Sequence, residues 1–108
     1  MSVKINDNSK EVSEAIKSAL LKGLETCGLV AEGYAKKLAP VDTGNLRNSI
    51  THTVDEEEPA AYIGTNVEYA PYQELGTIHM KAQPFLKPAV ADHANEYRKI
   101  IEKELKNG

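Results

Sequence analysis

Apolar residues recur every three or four positions between Ser9 and Ala39: Val12, Ile16, Leu20, Gly23 with Leu24, Cys27, Val30 with Ala31, Tyr34 and Leu38. That spacing places them on one face of a helix. Lys10, Glu11, Glu14, Lys17, Lys22, Glu25, Glu32, Lys36 and Lys37 fall between them as a solvated face. Ser9 is the predicted N-cap. Pro40 ends the helix, because the residue before a proline is pushed towards extended backbone. Gly23 and Gly28 each cost about 1 kcal/mol relative to alanine inside a helix, so close packing against another backbone, or a bend, is expected there. A helix of ~30 residues spans ~45 Å, more than a domain of this length needs, so one end is expected to project towards a partner.

Beyond Pro40 the period changes. Pro40-Val-Asp-Thr-Gly-Asn-Leu-Arg-Asn-Ser is a cluster of turn residues, with Asp42 or Thr43 placed to cap a short helical turn through Leu46 and Arg47. Ile50, His52 and Val54 then alternate with Thr51, Thr53 and Asp55, which predicts a strand with one buried face. Ala61 to Val67 reads as its antiparallel partner, joined through Glu56-Glu57-Glu58-Pro59-Ala60. Three adjacent carboxylates repel one another, so that connection should be exposed and mobile. Glu68 to Thr77 predicts a short helix ended by Gly76, and Ile78 to Gln83 a third short strand or an ordered loop. A second apolar stripe runs through Leu86, Val90, His93 with Ala94, Tyr97, Ile100 with Ile101, and Leu105, with Pro88 suited to the first turn of its helix. The predicted class is α+β: a long N-terminal helix and a C-terminal helix on one face of a small antiparallel sheet, with a short helix between strands. Residues 1–108 read as one domain, with 1–8 and 106–108 flexible.

Composition adds bounds rather than detail. With 41% hydrophobic and 27% charged residues the chain can support one modest core. It has five Tyr, one Phe and no Trp, so that core rests on aliphatic side chains. The net charge is -3, and no basic patch accompanies it, which argues against a protein that grips nucleic acid through its phosphates. A single cysteine, Cys27, excludes an intrachain disulfide and a cysteine metal cluster. The start of the chain has no apolar signal-peptide core, and no apolar run reaches the ~20 residues a membrane span needs. The chain is therefore expected in the cytoplasm when made.

The sharpest string with catalytic potential is Asp42-Thr43-Gly44. In small dimeric aspartic proteases such a turn supplies one carboxylate of a dyad that shares a proton. There it lies between buried hydrophobic strands, whereas here a long charged helix and Pro40 lead in and Leu46-Arg47-Asn48 follows. A structural turn or helix cap is the preferred reading of Asp42, Thr43 and Gly44. His52, His79 and His93 show no metal-ligand spacing with one another. Cys27 sits on the apolar stripe as a small hydrophobe, and Glu56, Glu57 and Glu58 point apart. No catalytic residue, cofactor or metal site is expected. Tyr62, Tyr69, Tyr72 and Pro71 either fill a core that lacks tryptophan or form a contact surface, since tyrosine buries a large ring while keeping a polar tip.

Three strings in this order carry a resemblance. Ala39-Pro-Val-Asp-Thr-Gly-Asn-Leu-Arg-Asn-Ser-Ile follows a long helix; Tyr69-Ala-Pro-Tyr-Gln-Glu-Leu-Gly-Thr and Gln83-Pro-Phe-Leu-Lys-Pro-Ala precede the terminal one. Together they resemble the small tail-component or tail-completion proteins of lambdoid-type long-tailed phages, over roughly residues 9–105. The resemblance implies a non-enzymatic structural protein of a phage or prophage, acting at the head–tail interface in tail completion or head–tail joining. It implies self-assembly into a ring, often six-fold in related neck proteins, that contacts neighbouring neck or tail-tube proteins while DNA passes through. The isolated chain is compatible with a monomer. Assembly would take place in the host cytoplasm, and the product would reside in the virion at the head–tail junction or tail. Tyr69, Pro71, Tyr72, Glu74, Gly76 and Thr77 are the expected contact residues. The rival classes are an aspartic protease built on Asp42-Thr43-Gly44 and a prophage-encoded binding module acting on a host protein.

Overall fold

Three antiparallel strands and five helices make up the computed structural model, which describes residues 2–6, 14–39, 44–78 and 81–107. They follow as β1 (Ser2–Asn6), α1 (Glu14–Leu38), α2 (Gly44–Ser49), β2 (Thr51–Asp55), β3 (Ala60–Gly64), α3 (Ala70–Leu75), α4 (Leu86–Ala91) and α5 (Ala94–Asn107). The class is α+β, as the sequence pattern predicts. The proposed N-cap Ser9, the stripe position Val12, Pro40, Asp42 and Thr43 lie outside the described residues.

The sheet order is β1-β3-β2, so β3 is central. Its Ala60, Ala61 and Ile63 are fully buried. The expected hairpin is present, with His52 opposite Ile63 and Val54 opposite Ala61. Its connection is a tight turn, because Asp55 Oδ1 accepts the backbone N–H groups of Glu57 (3.0 Å) and Glu58 (3.3 Å). The three glutamates that follow Asp55 are exposed. The third strand is β1 at the N-terminus, where Val3 pairs with Ile63 and Lys4 with Tyr62. The sequence pattern reads that stretch as a flexible terminus. Five residues with two apolar positions carry too little local signal, and the pairing partner lies some sixty positions away. Residues 81–83, proposed as part of a strand or an ordered loop, carry no regular structure; His79 and Met80 lie outside the described residues.

Along α1 the inner face is Ala19, Leu20, Gly23, Leu24, Cys27, Gly28, Ala31 and Ala35. The middle of the predicted stripe is buried as expected, but its ends are not: Ile16 is 47% and Leu38 46% exposed. Small residues take the inner positions because α1 is crowded on two sides, by β2 and β3 and by α5. The two glycines record this. A Cβ on Gly23 would lie 3.3 Å from the Ile101 Cα, so the expected backbone approach occurs there. At Gly28 the neighbour is instead a side chain, with His52 Cδ2 2.9 Å from the Cβ position.

The predicted C-terminal helix is divided. α4 packs against β1 and α1, whereas α5 runs along α1, and a turn at Asp92-His93 redirects the chain between them. Across that break the Tyr97 hydroxyl donates to the Ala89 carbonyl at 2.5 Å. α5 is antiparallel to α1: Ile101 meets Gly23, the Cys27 thiol donates to the Tyr97 carbonyl at 3.5 Å, and Tyr34 meets His93 and Glu96. Phe85, Leu20, Leu24, Leu46, Ile50, Ile63, Leu86 and Cys27 are the largest fully buried side chains and form the centre of the core.

Candidate functional site

The segment that leaves β3 is built from backbone-fixing contacts. Thr65 Oγ1 accepts the Val67 N–H at 3.1 Å and forms a short hydrogen bond with Ser49 Oγ. Ser49 Oγ also donates to the Leu46 carbonyl at 2.7 Å, so the end of α2 and the exit from β3 are held together. The Ala70 N–H then donates to the Val67 carbonyl at 3.2 Å, and α3 begins with Pro71 in its first turn, where a missing N–H loses nothing. Gly76 ends the helix at φ 78°, a left-handed backbone that glycine adopts without a Cβ clash, and its N–H donates to the Tyr72 carbonyl at 2.7 Å.

α3 is too short to hide more than one stripe. Ala70 and Glu74, four apart, face inward and are buried. The other side carries Pro71, Tyr72 (58% exposed) and Leu75 (73%), flanked by Tyr69 and by Ile78, which is 94% exposed. The result is a cluster of apolar and aromatic side chains on the surface, the kind of patch that marks contact sites.

The inward Glu74 holds this surface in place. Its Oε1 accepts the backbone N–H groups of Phe85 (3.0 Å) and Leu86 (2.8 Å), and its Oε2 that of Lys87 (3.2 Å). A carboxylate is thereby placed at the start of α4, where otherwise unpaired amides and the helix dipole favour negative charge. Nearby, the Gln83 N–H donates to the Gln73 carbonyl at 2.8 Å while Gln73 Nε2 donates to Gln83 Oε1 at 2.9 Å. Two sequence strings that look separate, Tyr69 to Thr77 and Gln83 to Ala89, thus form one unit.

Of the contact residues expected from sequence, Tyr69, Pro71, Tyr72 and Thr77 are exposed and Gly76 is half-buried. Glu74 faces inward and belongs to the frame behind them. Leu75 and Ile78 belong to the same surface, yet no sequence signal selects them, because a six-residue helix has too few turns to establish a periodicity. Gly44 opens α2; Asp42 and Thr43 of the Asp-Thr-Gly string lie outside the described residues.

The described histidines and the cysteine are occupied elsewhere. His93 stacks on Tyr34, with ring centroids 3.6 Å apart and planes within 1°, and the Tyr34 hydroxyl donates to Glu96 Oε2 at 2.6 Å. The hydrogen bond to Glu96, with burial and the Glu96 charge behind it, raises the Tyr34 phenol above its usual range. His52 lies between Glu25 and Glu32 of α1, 2.6 and 3.2 Å from its ring nitrogens. Cys27 is buried in the core, and burial followed by the Glu96 charge pushes its thiol up to about 11. Among the described residues, no group of three or more His, Cys, Asp and Glu side chains is arranged to hold a metal ion.

A family model described as "Bacteriophage HK97-gp10, putative tail-component" matches residues 3–76, which run from β1 through α3 to Gly76. No curated protein and no solved structure matches the chain significantly. Among the described residues, no helix is long and apolar enough to cross a membrane.

Proposed function

The chain belongs to the bacteriophage HK97 gp10-like tail-component family, and on that premise we propose that it is a non-enzymatic assembly protein at the head–tail interface, completing the tail or joining it to the head. It works by presenting shaped surface to other proteins. The observation that carries this reading is the exposed cluster of Tyr69, Pro71, Tyr72, Leu75 and Ile78, held on a frame buttressed by Glu74. Burying such a cluster against a neighbouring subunit or a neck or tail-tube protein removes apolar area from water, at ~25 cal/mol per Å². Copies of the chain close a ring in which each contact is modest and the template raises the effective concentration of the next subunit. A chain that is monomeric in isolation fits that scheme. With a net charge of -3, a ring of such subunits lets DNA pass without holding its phosphates.

The test is genetic and structural. Deleting the gene in its phage should leave heads and tails unjoined or tails malformed, with normal particles restored by a plasmid copy. Density for the chain at the neck of intact particles should show the Tyr72 and Leu75 face against a neighbour. Normal virions from the deletion would overturn the assembly role, and that face pointing to solvent in the particle would overturn the contact.

A further inference from the structure

Two carboxylates bracket one imidazole where α1 crosses β2. His52 Nε2 is 2.6 Å from Glu25 Oε1, and His52 Nδ1 is 3.2 Å from Glu32 Oε1. Glu25, Gly28 and Glu32 fall on one side of α1, at i, i+3 and i+7. Gly28 forms the floor of the seat, with no room for a Cβ beside the ring. β2 is an edge strand, joined to the sheet only through β3 among the described strands. The hairpin is thus attached to α1 partly through this one side chain.

Both ring nitrogens face carboxylate oxygens, which only accept hydrogen bonds. The arrangement is complete only when both nitrogens carry protons. A neutral ring has one N–H, and its bare nitrogen then faces a carboxylate lone pair. Among the described residues the charged groups in contact with the ring are Glu25 and Glu32 of α1, with Lys36 3.6 Å behind Glu32. From β3 the cross-strand neighbour is Ile63, which carries no charge.

We propose that Glu25, His52 and Glu32 form a pH-sensitive clasp, closed by the imidazolium, that fastens the β2 edge of the sheet to α1 and loosens when the ring loses a proton. Partial burial disfavours the charged ring, but the hydrogen bonds and charges of Glu25 and Glu32 outweigh it, so His52 titrates above its ordinary value of 6.5. Because the folded value exceeds the unfolded one, the clasp contributes its full stability below pH 6.5 and loses it as pH rises through the folded value. The arms then part unequally. Glu25 is 61% exposed and can swing into water, whereas Glu32 is 18% exposed and still has Lys36. The retained proton therefore sits on Nδ1, facing Glu32, and the Glu25 contact is the one released.

Imidazole nitrogen NMR on the intact chain tests this directly, read alongside amide hydrogen exchange corrected for the intrinsic rise with pH. His52 should titrate above 6.5, with the neutral ring in the Nδ1–H form. Amides of β2 should open several-fold more readily across that titration, while those of α5 do not. Glu25→Gln, a change at an exposed side chain that leaves the core intact, should lower the His52 value and flatten the β2 response; Glu32→Gln should do both less strongly. A His52 value at or below 6.5, or β2 and α5 amides that respond alike, overturns the clasp.

Discussion

The Glu74 carboxylate accepts the Leu86 amide at 2.8 Å, which fastens the end of α3 to the start of α4 inside the core. Phe85 and Lys87 amides share the same carboxylate. Glu74→Ala therefore strands buried donors, and each unsatisfied buried group costs roughly 1–3 kcal/mol, partly relieved by water at the exposed Lys87. A total loss of about 3 kcal/mol is expected in urea unfolding. Glu74→Gln keeps an acceptor and should lose about half as much. Equal stability of the alanine variant and the native chain would show that the carboxylate is not what holds the two helices.

Glycine positions on α1 should separate cleanly. A Cβ added to Gly33 would meet nothing within 4 Å, so Gly33→Ala should stabilise the chain by up to about 1 kcal/mol through helix propensity alone. Gly28→Ala would press on the His52 ring and should destabilise by about 1–3 kcal/mol, the range of an overpacked site. Thermal melts of both variants decide the matter. A stabilising Gly28→Ala would mean that β2 does not sit against α1 here.

Cys27 should be chemically silent while the chain is folded. Its thiol is pushed up to about 11 from 9.0, so near pH 8 the folded chain holds about 100-fold less thiolate than the unfolded one. Iodoacetamide should label the unfolded chain far faster than the folded one. The same shift makes stability fall as pH climbs from 9.0 towards 11, because the unfolded thiol ionises first. Equal labelling rates would place Cys27 outside the core.

The exposed cluster can be changed without touching the frame. Tyr72→Ser combined with Leu75→Ser should leave stability within ~0.5 kcal/mol, since both side chains already face water. The same double variant should fail to restore particle yield in a deletion strain. Full complementation would remove this surface from the assembly contacts.

The long amphipathic helix, the β2–β3 hairpin, a terminal helical region and the inward position of Cys27 are all legible in the order of residues alone. Each follows from a period of 3.6 or 2 repeated within a short window, and such patterns are local. The order of the Ala39-to-Ile50, Tyr69-to-Thr77 and Gln83-to-Ala89 strings also points to a phage tail component, and the family match agrees with it. Folding in three dimensions settles the rest: β1 completes the sheet, the terminal helix breaks at Asp92-His93, and Glu74 and His52 are committed to partners far along the chain. The strand pairing and the two side-chain commitments join residues separated by eleven to sixty-two positions. A side chain's partner at that distance depends on how the whole backbone closes, and no periodicity records it.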